Sequence, residues 1–330
     1  MSSLNANNNR LISVGIIILA MLGISYFTFN AFFSVSDDEK PNPFEYNIEY
    51  FKQYDPALNQ YEEIKQIPIT LQKLKGIAIG PNDDIYISAY QVYLVFDPEG
   101  NVVDTVNFGQ PALCLSVDNN GDVYLGVTDH IQIYDKKGVQ KSKWSSPKDN
   151  SLFTSIAVTS ENVYVADAGN FVVWQYDKEG GLTRSIGVKD DKKDIPGFII
   201  PSPYFDLAVD PDGFLWATNP GRLSMENYTS EGDLRSSWGK AGMGIDEFCG
   251  CCNPSHISIL DDGSFVTSEK GIARVKVSNR LGNVVSVVAG PDQFTEGTVG
   301  LDLAVDSKNR IYVLDPSRNM VRIFEKKSGT

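Results

Sequence analysis

The chain alternates short apolar segments with polar turns, and this pattern repeats six times. Each copy has an apolar segment, a turn and an aromatic or β-branched segment, as in "GIAIGPNDDIYIS" from Gly76 and "DLAVDPDGFLWAT" from Asp206. The remaining copies begin at Cys114, Ser155, His256 and Asp302. Short runs of this composition, bounded by Asn, Asp and Gly, are typical of β-strands joined in hairpins.

A third strand and a further turn follow each pair, as in "YLVFDPEGNVV" and "IQIYDKKGVQ". The second strands open 38 to 52 positions apart, at Ile85, Val123, Val163, Leu215, Phe265 and Ile311. Four-stranded units at this period predict an all-β fold, a six-bladed β-propeller. The sixth repeat stops after three strands, near Lys327. We expect "YEEIKQIPI", residues 61–69, to supply its outer strand and close the ring.

An uncharged segment, residues 11–36, precedes the repeats, and its core at 11–33 is long enough to cross a bilayer as a helix. Its length and the lack of an A-x-A site favour a retained single-pass signal anchor over a cleaved signal peptide. Arg10 before it predicts a cytoplasmic N-terminus and an exported C-terminal domain, periplasmic if the source is a Gram-negative bacterium. The predicted organisation is a cytoplasmic N-terminus (1–10), a transmembrane helix in the cytoplasmic membrane (11–33), a linker (34–60), the propeller (61–327) and a tail (328–330).

The charge of the chain argues against one class of partner. The formal net charge is −13, and no basic run is present to neutralise phosphates. Nucleic-acid binding is therefore disfavoured, and we interpret the acidity as a contribution to solubility.

The repeat phrase, as in "SIAVTSENVYVAD", resembles the NHL-repeat family of six-bladed β-propellers over about residues 61–327. The longer phrase "FCGCCNPSHISILDDGSFVTSEKGIARVKV" resembles a bacterial, membrane-anchored subgroup with a CGCCNP signature. The resemblance implies the fold. It implies no particular reaction, because this fold hosts many activities.

One column of the repeats is chemically rich. Its members open the innermost strands, so they are expected near one end of the central channel: Gly76, Cys114, Ser155, Asp206, His256 and Asp302. Ser155, Asp206 and Asp302 are predicted to line that channel. The two aspartates are suited either to hold a hard cation such as Ca²⁺ or to cap backbone amides where strands begin.

The stretch "FCGCCNP" inserts Cys249, Cys251 and Cys252 just before His256. We expect these four residues at one channel mouth, with Cys114 on the facing blade. Three interpretations remain open. The cysteines form structural disulfides, or with His256 they bind Zn, Cu or an iron–sulfur centre, or one of them is a reactive thiolate.

These features favour a membrane-anchored, exported binding or scaffold module with a protein partner in a membrane complex. One alternative is a metal-dependent hydrolase or lyase acting at the channel mouth. Another is an electron-transfer or metal-handling accessory of a membrane complex. Binding is favoured over catalysis because the chain has no G-x-S-x-G, nucleotide-loop or haem motif, and has only two histidines, His130 and His256.

Overall fold

A computed structural model describes residues 18–26, 48–250 and 252–329. The chain divides into two compact units, Met1–Asn47 and Ile48–Thr330. In the first unit, residues 18–26 are helical. Within the described ranges, every helix falls short of the length and apolar character that a membrane span requires. Most of the expected anchor, residues 11–33, lies outside the described residues.

The second unit is a six-bladed β-propeller, which confirms the predicted all-β fold. Each blade is a sheet of four antiparallel strands. From the innermost to the outermost strand, blade 1 consists of Leu74–Ile79, Ile85–Ala89, Val92–Phe96 and Val102–Asn107, and blade 2 of Cys114–Val117, Val123–Val127, His130–Tyr134 and Gln140–Ser145. Blade 3 consists of Phe153–Val158, Asn162–Asp167, Val172–Asp177 and Leu182–Ile186, and blade 4 of Leu207–Val209, Leu215–Asn219, Ser224–Tyr228 and Leu234–Trp238. Blade 5 consists of His256–Ile259, Phe265–Glu269, Arg274–Ser278 and Val284–Ala289, and blade 6 of Leu303–Val305, Ile311–Asp315, Met320–Lys326 and Tyr61–Pro68.

Short helical turns accompany the blades. An α-helical turn, Ile48–Phe51, precedes the first strand, and 3₁₀ turns occur at Pro56–Leu58, Pro81–Asp83, Pro220–Arg222 and Pro291–Gln293.

The strand Tyr61–Pro68 closes the ring by pairing with the last strand of the chain. Its register runs antiparallel from Tyr61 opposite Lys326 to Pro68 opposite Met320. Blade 6 therefore combines both ends of the propeller sequence. The pairing covers an edge that would otherwise present free backbone groups to other chains.

The core lies between neighbouring blades. The second strands are buried almost entirely, as in Ile85–Ala89, which explains why their residues are mainly apolar or aromatic on both faces. Between blades 6 and 1, Ile87 and Phe96 pack in one cluster with Tyr312 and Ile323. Burying each such aliphatic or Phe side chain contributes roughly 1.5–3 kcal/mol to folding.

The antiparallel order gives the propeller two distinct faces. Loops that lead into the innermost strands lie on the same face as loops joining second strands to third strands, and we call this the mouth face. Turns joining first to second and third to fourth strands lie on the opposite face, the far face. Many far-face turns are held by an Asp side chain, as in Asp210, whose Oδ1 accepts hydrogen bonds from the amides of Asp212 and Phe214.

Candidate functional site at the channel mouth

The residues of the chemically rich column join each blade to the next. Asp206 in blade 4 accepts a hydrogen bond from the amide of Leu207 (2.9 Å) and another from that of Ile257 in blade 5 (2.8 Å). Asp302 in blade 6 accepts from Leu303 (2.9 Å) and, across to blade 1, from Ile77 (2.8 Å). The aspartates therefore cap backbone amides where strands begin, one of their two expected roles.

The same relation recurs around the ring with different chemistry. The Ser155 hydroxyl accepts from the amide of Leu207 (3.2 Å), and the Cys114 thiol lies 3.9 Å from the carbonyl oxygen of Phe153, toward which it donates. At Gly76 a Cβ atom would stand 2.9 Å from Leu115 Cδ2 and 3.3 Å from its amide nitrogen. Close approach to the next blade thus explains glycine here and a small or polar side chain elsewhere in the column.

His256 lies between the two aspartates. Its Nδ1 is 3.2 Å from Asp302 Oδ1 and 3.6 Å from Asp206 Oδ2. Burial lowers the pKa of the imidazole, but the charges and hydrogen bonds of Asp302 and Asp206 outweigh burial and raise that pKa to about 10. His256 is therefore an imidazolium at neutral pH.

These three side chains also fit a cation. One ligand atom from each of Asp206, His256 and Asp302 lies within 4.8 Å of the others, and among the described residues no cysteine joins this group. A metal ion would have to displace the proton on Nδ1, because imidazole binds metals in its neutral form. Proton and metal are therefore competitors for the same place.

The described cysteines occupy separate places. Cys114 is buried in the core between blades 2 and 3, where burial, followed by the charges of Asp206 and Asp302, raises the pKa of its thiol. Cys249 and Cys252 are also buried. No disulfide joins the three to one another. Cys251 lies outside the described residues, so the expected gathering of Cys249, Cys251, Cys252 and His256 at one channel mouth, with Cys114 on the facing blade, stays a prediction.

Cys249 is fixed by its neighbours in blade 5. Its amide donates to Glu269 Oε2 (3.3 Å), and its thiol lies 3.6 Å from the carbonyl oxygen of Lys270. The Asn253 side chain donates to the Cys249 carbonyl (2.7 Å) and lies 3.4 Å from its sulfur. Burial and the adjacent Glu269 carboxylate raise the pKa of the thiol. Both effects oppose a reactive thiolate at this position.

A buried charge cluster holds the loop that leads to the cysteines. Glu269 is fully buried and pairs with Arg274 (Nε to Oε1, 2.8 Å) and Lys276 (Nζ to Oε1, 2.8 Å). Arg274 also donates to the carbonyls of Gly244 and Glu247, and Lys276 donates to those of Ile245 and Glu247. Sequence reasoning missed this cluster. The available signal was two cations on one face of an otherwise apolar strand, "ARVKV".

A cavity of about 330 Å³ opens in front of His256 on the mouth face. Its walls are mainly apolar and include Leu74, Leu113, Tyr204 and Val299, with Thr154 and Lys75 as polar members. The Tyr204 ring stands perpendicular to the His256 ring with centroids 5.8 Å apart. The Lys270 ammonium group lies over the Tyr204 ring, 4.3 Å from the ring centroid. Tyr204 and Lys270 were missed from the sequence because they lie outside the repeated phrase.

His256 also lines a second cavity of about 320 Å³ deeper in the channel, together with Cys114, Ser155 and both aspartates. The predicted channel-lining residues Ser155, Asp206 and Asp302 therefore border this second cavity. Both contacts to the aspartates use Nδ1, and among the described residues no hydrogen bond to Nε2 is present. Nε2 thus keeps its hydrogen-bonding capacity for a ligand.

No family model and no curated protein matches the chain. A structure described as a streptogramin B lyase matches 83% of this chain and all of its own length, with 13% identity and a TM-score of 0.56. Virginiamycin B lyase from Staphylococcus aureus matches 82% of this chain and 90% of its own length, with 14% identity and a TM-score of 0.53.

A third similar structure is a protein of unknown function from Bacteroides thetaiotaomicron, with 15% identity and a TM-score of 0.59 over 82% of this chain and 72% of that one. These likenesses show the fold alone. The resemblance to NHL repeats and to a CGCCNP subgroup is not confirmed by any family match and stays a prediction.

Proposed function

We propose that this chain is a membrane-anchored, exported binding module, an NHL-type propeller whose ligand site is the cavity in front of His256. The observation that carries the proposal is the arrangement of His256. Two carboxylates hold its Nδ1, and the cavity of about 330 Å³ lies on the mouth side of the ring. The site is preorganised because each aspartate is itself fixed by backbone amides of two blades.

The protonation state of His256 favours binding over acid–base catalysis. A general base works best with a pKa near the operating pH, and the pKa of His256 is raised to about 10. At neutral pH the imidazolium holds its proton, so it neither accepts one nor releases one readily. What it offers is a charge-assisted hydrogen bond from Nε2.

The charges and walls of the site define the ligand class. One imidazolium and two carboxylates sum to a charge of −1, which Lys75 in the cavity wall balances, so the site has no excess charge to attract an ion of either sign. Leu74, Leu113 and Val299 give apolar walls, and a buried donor needs an accepting partner. A neutral, partly apolar ligand that places a carbonyl or amide oxygen at Nε2 fits these conditions.

The chain offers a clean test because it has only two histidines. The protein is labelled with ¹⁵N-histidine and titrated with neutral N-acetyl amides of leucine and valine, while imidazole ¹⁵N resonances are recorded. We expect the Nε2 resonance of His256 to shift in a saturable way, with His130 as the internal control. N-acetyl-leucine, which differs by a free carboxylate, should shift it less. His256→Gln assigns the resonance by removing it. No saturable shift at His256 with any amide would contradict the proposal.

A metal-dependent lyase or hydrolase is the second candidate. It is favoured by the three ligand atoms of Asp206, His256 and Asp302 within 4.8 Å, and two of the similar structures are described as lyases. Protein purified with Zn²⁺, Mg²⁺ or Ca²⁺ is analysed for bound metal. Stoichiometric metal that His256→Gln and Asp302→Asn both abolish would support this candidate. Metal lost only on replacing Cys251 and Cys252 would instead support a thiolate site.

A further inference from the structure

Exposed apolar side chains are distributed unevenly over the propeller. The mouth-face loops expose five large ones: Tyr90, Phe171, Val188, Ile199 and Val299, each 44–53% accessible. They come from loops of blades 1 and 3 and from the connections between blades 3 and 4 and between blades 5 and 6. The far-face turns expose two, Val139 and Leu281. The mouth face therefore exposes more large apolar side chains than the far face, and we call these five side chains the apolar rim.

The charges show the opposite distribution. The turns of the far face contain sixteen Asp or Glu residues and six Lys or Arg residues. The loops of the mouth face contain eleven and nine, and two of those eleven are the channel aspartates Asp206 and Asp302. Most of the net charge of −13 thus belongs to the far face. A surface of anionic lipids would repel the far face and tolerate the mouth face.

The chain also enters the propeller at the mouth face. The helical turn Ile48–Phe51 borders a cleft of about 730 Å³ together with Gly271–Ala273 and residues 291–297, which are mouth-face loops. Ile48 and Tyr50 of this turn are 50% and 70% exposed. Eleven residues, 37–47, separate Ile48 from the end of the uncharged segment, and they span at most about 40 Å.

We propose that the mouth face rests on the lipid surface of the membrane, with the acidic far face turned toward water. The apolar rim, together with Ile48 and Tyr50, would contact the boundary between headgroups and acyl chains. Aromatic and aliphatic side chains flanked by lysines, such as Lys73 and Lys148, suit this boundary. The ligand cavity then opens toward the membrane, so its apolar ligand enters from the lipid interface. This inference rests on the membrane anchor in the proposed function.

Fluorescence quenching tests the orientation with the full-length chain. The protein is placed in nanodiscs of phosphatidylcholine and phosphatidylglycerol, with and without brominated acyl chains. Phe171→Trp and Val299→Trp add a probe at the rim, and Leu281→Trp and Val139→Trp add one on the far face as matched controls. The four native tryptophans give a common background. We expect the added fluorescence at the rim to be quenched at least twofold more than that on the far face.

The possible outcomes separate this inference from the proposal on which it rests. Alkaline carbonate washing of vesicles made from the same lipids first shows whether the chain is anchored. Release of the chain from the vesicles contradicts both the anchor and the orientation. An anchored chain with equal quenching at rim and far face overturns the orientation alone. The orientation is also overturned if the tryptophans at the rim are not quenched by lipid and are shielded from solvent only when a protein partner is bound. Tyr90→Trp is a conservative second rim probe in case Phe171→Trp or Val299→Trp misfolds.

Discussion

At the scale of single residues, the protein places one positive charge where two negative charges meet. Asp206 and Asp302 are held by backbone amides, and His256 balances them from 3.6 and 3.2 Å. The hydrogen bonds from these amides orient the carboxylates without neutralising their charge. The imidazolium is therefore part of the ring that joins blades 4, 5, 6 and 1 as well as part of the candidate ligand site.

This coupling predicts a pH-dependent stability. The pKa of His256 rises from an ordinary 6.5 to about 10 on folding, so protonation favours the folded state. The stabilisation is fully present below about pH 6.5 and declines until it is lost above about pH 10, with an upper bound of roughly 5 kcal/mol. We expect the free energy of unfolding in urea to fall over this range for the wild type and to change much less for His256→Gln. Parallel pH profiles for the two proteins would contradict this assignment of charge.

At the scale of elements, the loop that carries the cysteines depends on a strand rather than on its own sequence. Arg274 and Lys276 alternate with apolar residues along one strand of blade 5, and their head groups reach the carbonyls of residues 244–247. Glu269 on the neighbouring strand, directly opposite Arg274, balances their charge. The position of Cys249 is thus set by a polar network inside the blade.

Removing the carboxylate should therefore cost much more than removing a surface charge. Glu269→Ala leaves two buried cations short of their anion, and breaking such a pair costs about 3–5 kcal/mol. Asp212→Ala, which removes the exposed partner of Arg280, is the matched control and should cost at most about 1 kcal/mol. Urea unfolding measures both. Hydrogen exchange should also rise at residues 240–249 in Glu269→Ala only. Equal, small losses in the two variants would argue against the role of this cluster.

The sequence was informative about elements and less so about contacts between them. The turn phrases and apolar periods of the six repeats predict the blades, because those signals are local. The column containing Asp206, His256 and Asp302 was found because the repeats align it. The pairing of His256 with the aspartates could not be predicted, since blade order places the three residues in adjacent blades but does not give the side-chain orientations that bring Nδ1 within 3.6 Å of both carboxylates. Tyr204, whose ring contacts that of His256, lies in an irregular loop, and no repeat there predicts which side chains face the channel. His130 shows the same limit: its place at the start of a third strand predicts a surface position, but the structure buries it beside Asp129 and Gln132.

At the scale of the whole molecule, the ring depends on a strand that comes before the first repeat. Tyr61–Pro68 is the only part of blade 6, within the described residues, that comes from the N-terminal side of the propeller. Its Ile67 packs in the core between blades 6 and 1. The propeller is thus complete only when both ends of its sequence are present.

Truncation tests this closure. A chain beginning at residue 71 lacks the strand and should expose the edge of Met320–Lys326, giving aggregation or a large loss of stability. A chain beginning at residue 48, the matched control, keeps the strand and should be soluble and monomeric. Size-exclusion chromatography with light scattering measures both. A soluble, monomeric chain of residues 71–330 would show that closure is dispensable.

The orientation of the chain across the membrane is a separate prediction at this scale. Arg10 before the uncharged segment favours a cytoplasmic N-terminus. An enzyme that is active only outside the cytoplasm, fused after Thr330, should therefore be active, and a reporter that works only in the cytoplasm should not. Reversed activities would contradict the predicted export.

The register of the closing strand has a mechanical meaning. Tyr61 and Lys326 are opposite each other at one end of the pairing, and Lys327 donates to the carbonyl of Gln60 just beyond it. A pull between the N-terminal side and the C-terminus would load this ladder from that end, one hydrogen bond after another, as when a zipper is opened. The remaining strands would carry no load until the zipper had opened. A chain tethered at its start and attached to cargo at its end would therefore have a weak link at the seam of its ring, while its channel and candidate site lie in a part that the force does not reach first.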